Sequence, residues 1–325
     1  MDALSLAIAN LTSPAFLFFA LGVGAGLARS DLEIPQAIAK GLALYLMLAI
    51  GFKGGVEVAR AGFTMDLLLA AFAGVLLSFL MPIVAYGLLR TFTKLDRVTA
   101  AASAAHYGSI SVVTFVAGSE FLTASGLVYS GHMIAVLALM ETPAILTGLL
   151  LAGRAAESTD KTERGELIRE VALNGSVVLL MGAFLVGLIS GEPGMTKLYP
   201  FVDELFQGVL VLFLLDMGLV AARRMGGAKR LGVMGVVFGI VMPPLGAMFA
   251  LLLAWPLGMS VGDTAALMIL GASASYIAVP AAMRIALPKA DPSVYLTLSL
   301  AITFPFNLAI GIPLYAAIAR MVIGG

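Results

Sequence analysis

Ser103-Ala104-Ala105-His106-Tyr107-Gly108-Ser109-Ile110-Ser111 lies in the middle of an apolar stretch running from about 99 to 118. The run is small, polar and helix-weakening, yet the stretch around it has the roughly 20 residues that a membrane crossing takes. In hydrocarbon an unwound backbone is tolerated only where protein or a water-filled cavity surrounds it. Such a run marks a membrane helix broken at mid-depth. A second one, Gly271-Ala272-Ser273-Ala274-Ser275-Tyr276 followed by Val279-Pro280, sits inside the stretch 262–285. Ser109-Ile110-Ser111-Val112-Val113 and Tyr276-Ile277-Ala278-Val279-Pro280 stand 167 residues apart.

The rest of the chain agrees with a membrane setting. Of 325 residues 61% are hydrophobic and 12% charged, with mean hydropathy +1.04. A water-soluble domain cannot hide that much apolar surface. Net charge is zero and no nucleic-acid partner is indicated. There is no cysteine, which excludes disulfides and thiolate metal sites, and two histidines are too few for a histidine cage. No Lys or Arg precedes Arg29, so the first apolar segment reads as a retained helix rather than a signal peptide.

Ten apolar stretches emerge, at about 12–28, 36–58, 64–90, 99–118, 131–153, 173–190, 200–222, 231–255, 262–285 and 292–320. Short connections separate them, except for the charged segment 154–172, which reads as a solvated cytoplasmic linker. Lys and Arg divide fifteen to four between alternate connections, with only Lys53, Arg60, Lys197 and Arg320 on the poorer side. The richer side is cytoplasmic, which puts both termini outside the cytoplasm.

Five stretches on each side of the linker are an odd number, so any likeness between halves makes an inverted repeat, a design common in secondary transporters. Leu48-Ala49-Ile50-Gly51 lies 167 residues before Leu215-Asp216-Met217-Gly218, Met81-Pro82 matches Met242-Pro243, and Pro143 and Pro305 sit in the fifth and tenth stretches. Chance matches of Gly, Ala and Leu arise in any apolar chain, but the order of these pairs repeats along both halves. The expected fold is all-α: a polytopic membrane protein of ten transmembrane helices in two inverted five-helix repeats, 1–153 and 173–325, joined by 154–172.

If both helices break, half-helix N-termini meet near the midplane and present free N–H groups and partial positive charge, which suits an anion. Gly108, Ser109, Ile110, Ser111, Ser273, Ala274, Ser275 and Tyr276 form the candidate anion site. Freed carbonyls and hydroxyls suit Na⁺, with Ser109, Thr114, Glu141, Thr142, Ser275, Thr303 and Asn307 as candidate ligands. The bland alternative is that small residues only let membrane helices pack closely. Intramembrane ionisable groups are costly: Glu141 is near the centre of its stretch, while Asp216 reads as paired with Arg223 or Arg224. Lys53 and Glu57, four residues apart, read as a pair or as snorkelling groups, His106 as a packing residue beside the site, and His132 as interfacial.

Ala49-Ile50-Gly51-Phe52-Lys53-Gly54-Gly55-Val56-Glu57, Tyr107-Gly108-Ser109-Ile110-Ser111-Val112-Val113-Thr114-Phe115, Leu139-Met140-Glu141-Thr142-Pro143-Ala144 and Ala272-Ser273-Ala274-Ser275-Tyr276-Ile277-Ala278-Val279-Pro280 resemble the sodium-dependent bicarbonate transporters of cyanobacteria and their bacterial relatives. So do Ser30-Asp31-Leu32-Glu33-Ile34-Pro35 and Gly131-His132-Met133. The resemblance implies a Na⁺/HCO₃⁻ symporter of the inner or plasma membrane, with a core subdomain moving against a gate subdomain, a homotrimer, and a PII-like protein binding from the cytoplasm. Sodium is then a co-transported ion, and neither a resident cofactor nor an enzymatic reaction is expected. Transport of another small anion, a sodium-independent channel or uniporter, a sodium/proton antiporter and a non-transporting receptor stay open as alternatives.

Overall fold

A computed structural model describes residues 8–152, 175–225, 228–276 and 278–324. The linker 154–172 lies outside the described residues, as does the side chain of Thr142. The described chain is all-helical, and the apolar stretches read from the sequence coincide with its helices. Among the described residues, seven helical segments are long and apolar enough to cross a membrane, and Pro14–Leu27 and Val261–Ala272 are shorter apolar helices.

The helices are α1 (Pro14–Leu27), α2 (Gln36–Ala61), α3 (Met65–Phe92), α4 (Arg97–Gly108), α5 (Val112–Ala124), α6 (His132–Leu139) and α7 (Glu141–Ala152) in the first part of the chain. The second part holds α8 (Gly175–Tyr199), α9 (Phe206–Arg224), α10 (Ala228–Ala254), α11 (Val261–Ala272), α12 (Ala278–Ala286) and α13 (Pro292–Ile323). Short polar side chains fix several starts. Ser13 caps α1 ahead of Pro14, Thr64 caps α3, Asp96 caps α4 and Ser260 caps α11, each accepting from an amide in the first turn. The connection expected between the stretches 173–190 and 200–222 is a sharp kink instead. Gly191 takes φ 53°, ψ −148°, after which the chain resumes its helix and widens to a π turn over Pro200–Glu204.

Two glycine seams bind four of these helices. An added Cβ would lie 2.1 Å from the Leu215 carbonyl at Gly22 and 2.2 Å from the Phe19 carbonyl at Gly218, so α1 and α9 touch backbone to backbone. Gly55 would meet the Phe184 carbonyl at 1.9 Å and Gly187 the Phe52 carbonyl at 2.1 Å, which joins α2 and α8 in the same way. Small residues permit this approach where lipid supplies no hydrophobic drive between helices. Gly51 lies in the second seam, where an added Cβ would be 2.5 Å from the Leu180 carbonyl.

The other helices make a second group. In it α4 packs on α3 and α7, α11 packs on α10 and on the last turns of α13, and α3 meets α10. The groups touch where α2 meets α6 and where α9 meets residues 297–303 of α13. An edge-to-face contact of Phe19 with Phe304, 5.4 Å between centroids, adds to that junction. The most apolar window of Arg97–Ala124, the segment carrying the first break, is wholly buried, whereas α3 and α10 turn Phe72, Ile83, Val237 and Leu252 outward. The first break therefore sits where protein surrounds it.

Candidate functional site

Helix α4 ends at Gly108, where the chain is pressed against α3 beside Pro82: an added Cβ would lie 2.3 Å from the Pro82 ring and 2.6 Å from the Ser78 carbonyl. Ser109 is extended at φ −92°, ψ 146°, and Ser111 restarts the helix as the cap of α5, its hydroxyl accepting from the Thr114 amide at 3.1 Å. Ser273 is likewise extended after α11, at φ −83°, ψ 161°. The two breaks are in direct contact. The Ser111 amide donates to the Ser273 hydroxyl at 3.0 Å, and the Ser275 amide donates to the carbonyls of His106 at 2.8 Å and Ser109 at 3.2 Å. In return the His106 ring nitrogen Nδ1 lies 2.5 Å from the Ser275 carbonyl. A carbonyl only accepts, so Nδ1 carries a proton, and Nε2 is buried without a partner.

A milder irregularity, with the backbone still helical at Met140 (φ −76°, ψ −15°), adjoins these two breaks. Met140 separates α6 from α7, one residue before Glu141, and its carbonyl accepts from the Ser78 hydroxyl. Pro143 explains the interruption, because proline has no N–H to offer the Leu139 carbonyl and its ring crowds that position. Pro305 acts similarly in α13, which runs as a π-helix over Thr297–Thr303 and Asn307–Gly311.

Between the breaks lies a cavity of about 10 Å³, lined by Met47, Ile110, Ser111, Val112, Glu141, Ser275 and Tyr276. That is room for one water-sized body. Glu141 is 2% exposed and its Oε2 has no hydrogen-bond partner. The buried Ser109 hydroxyl also has none, and the Tyr276 hydroxyl lies toward Ser111 without forming a well-shaped bond to it. The first amides of α5, those of Val112 and Val113, lack an intrahelical acceptor as at every helix start. Hydroxyl oxygens, a carboxylate and a helix N-terminus thus converge on one small space, which has room for one small hard cation.

The remaining candidates occupy different places. Thr303 receives the Tyr107 hydroxyl at 2.8 Å and donates to the Gly239 carbonyl at 2.8 Å. Asn307 donates to the Ala272 carbonyl at 2.8 Å and accepts from Tyr315 at 3.0 Å. Both buried side chains tie α13 to its neighbours rather than line the cavity. Gly108, Ala274 and Thr114 are buried in or beside the breaks. Asp216 is buried but forms no ion pair with Arg223, which donates to the Leu32 carbonyl at 3.2 Å. The expected Lys53–Glu57 pair is not formed. Lys53 reaches Asp203 at 3.0 Å, and Glu57 pairs with Arg60 at 2.6 Å. His132, the first residue of α6, is buried. Met47 and Val112, which complete the cavity, carry no polar signal by which the sequence could have marked them.

A model of the Na⁺-dependent bicarbonate transporter superfamily matches residues 14–320, almost the whole chain. No curated protein matches it significantly.

Proposed function

Since the chain belongs to the Na⁺-dependent bicarbonate transporter superfamily, we propose that it is a secondary active transporter that carries bicarbonate across the inner or plasma membrane in symport with Na⁺. The observation that carries this reading is the convergence of the two broken helices on a cavity lined by Glu141, whose buried Oε2 has no hydrogen-bond partner, beside Ser111, Ser275 and Tyr276. Na⁺ binds at that carboxylate and the nearby hydroxyls. Bicarbonate, several times larger than 10 Å³, binds at the start of α5 once Met47 withdraws. Thr303 and Asn307 hold the scaffold instead of ligating the ion.

Ten spans in two inverted five-helix halves, 1–153 and 173–325, give this reading its frame. Its support is the reciprocal packing of α1 with α9 and α2 with α8, with Gly51 and Gly218 in matched roles. In alternating access the group α1, α2, α8 and α9 serves as gate and the remainder as core. The excess of Lys and Arg in alternate connections places both termini outside the cytoplasm.

The test is uptake of labelled bicarbonate into liposomes with and without an inward Na⁺ gradient. Uptake indifferent to Na⁺ would sink the symport. One observation favours a second reading: among the described residues Glu141 has no compensating cation, as a sodium/proton antiporter requires. Na⁺-driven pH change in the same liposomes without bicarbonate distinguishes it.

A further inference from the structure

A second cavity, about 580 Å³, opens where the ends of α2 and α5 meet the start of α9. It shares a face of α2 with the cavity at the breaks. Met47 lines the inner one, Ile50 and Lys53 the outer one, at intervals of three residues. Lys53 therefore stands about 9 Å beyond Met47 along the helix, with Ile50 between them. Among the described residues lining this vestibule, Lys53 is the one cation, against the carboxylates of Glu57, Glu120 and Asp203. Glu57 is engaged by Arg60 and Glu120 by Gln207. The Lys53 ammonium lies 3.0 Å from Asp203 Oδ1 and 4.5 Å above the Phe206 ring.

A mouth rich in carboxylates gathers cations and repels a monovalent oxyanion. For the symport reading, on which this inference rests, Na⁺ needs no help there and the anion does. The partly buried ammonium is the feature that lowers its barrier. We propose that Lys53 is a docking site for the small monovalent oxyanion on its way to the breaks, where the anion displaces Asp203 from the ammonium, so that Asp203 sets the affinity by competing for it.

The full-length protein in liposomes, assayed for bicarbonate uptake at saturating Na⁺, tests this with Lys53→Met and Asp203→Asn. A merely structural ion pair loses the same bond in either variant and shifts transport the same way. Docking predicts opposite shifts: KM for bicarbonate rises about tenfold in Lys53→Met, where added salt lowers it instead of raising it because only the carboxylates remain, while it falls severalfold in Asp203→Asn. The effect falls on KM rather than on the maximal rate. Because the chain has no cysteine, Lys53→Cys supplies a single thiol. Attaching an aminoethyl group to it restores a low KM, and attaching a sulfonatoethyl group does not. An unchanged KM in Lys53→Met, or shifts of one sign in both variants, overturns the proposal while Na⁺-dependent uptake by the wild type leaves the symport standing. Should the wild type show no uptake, equilibrium titration of the detergent-solubilised protein with bicarbonate still decides, since equal binding by wild type and Lys53→Met overturns the docking site.

Discussion

His106 and Ser275 hold each other twice. The Ser275 amide donates to the His106 carbonyl at 2.8 Å, and His106 Nδ1 donates to the Ser275 carbonyl at 2.5 Å. Stacking of the imidazole on Tyr295, with centroids 4.7 Å apart, fixes the ring. The clamp joins residues 169 apart in the chain and sets the spacing of the two breaks. His106→Ala strands the buried Ser275 carbonyl, at a cost of roughly 1–3 kcal/mol. A lowered melting temperature in detergent, together with lost uptake, is the expected result. Unchanged values of both would show that the clamp is dispensable.

Glu141→Gln keeps the volume of the side chain and removes its charge. The protein is expected to fold normally, with the Na⁺ concentration for half-maximal uptake raised by roughly tenfold, equivalent to about 1.4 kcal/mol. Na⁺ titration of uptake measures this, and an unaltered curve removes Glu141 from the ion site.

Thr303→Val gives the opposite pattern. It breaks the chain from Tyr107 to the Gly239 carbonyl, costing about 1 kcal/mol of stability. Its Na⁺ titration should overlay that of the wild type, and a shifted half-saturation would return Thr303 to the ion site.

Gly55→Leu drives a side chain into the Phe184 carbonyl, and neither backbone can yield without parting α2 from α8. Loss of folded protein in size-exclusion chromatography is expected. Gly182→Ala on α8, where an added Cβ meets nothing within 4 Å, is the control and changes stability by less than about 0.5 kcal/mol.

Burial pushes the Asp96 carboxyl up, but hydrogen bonds from the Thr99 and Val98 amides outweigh it and hold the group below the usual carboxylate range. A depressed value means that this capping contribution is present above the ordinary carboxylate pKa and is lost as pH falls through the depressed one. Asp96→Ala is expected to cost about 1 kcal/mol at neutral pH. The gap in melting temperature between variant and wild type should close in acid, and a gap independent of pH would refute the cap.

The helix breaks are legible in the sequence because Gly108, Ser109, Ser111, Ser273 and Ser275 are small and polar in a setting that is otherwise apolar. Their mutual contact is only suggested there, by the spacing of 167. The irregularity before Glu141 follows from Pro143, yet a lone mid-span proline is also compatible with a continuous kinked helix. Met47 is unreadable, since its place in the cavity comes from the packing of α2 and not from its own chemistry. Lys53 shows why local spacing misleads: Glu57 stands at the right interval for a pair along the helix, but the actual partner, Asp203, is 150 residues away. Thr303 and Asn307 have the oxygen atoms of ion ligands, and only the tertiary structure shows that Tyr107, Gly239, Ala272 and Tyr315 already engage them.

The glycine seams have a mechanical consequence. Helices that touch through their main chains have almost no rotamers between them to absorb strain. The pairs α1 with α9 and α2 with α8 therefore act as stiff beams, and a tilt imposed at one membrane surface reaches the other undiminished. On the alternating-access reading proposed above, shutting the vestibule at one end and parting the bundle at the other become one motion, with no slack in which a leak could open.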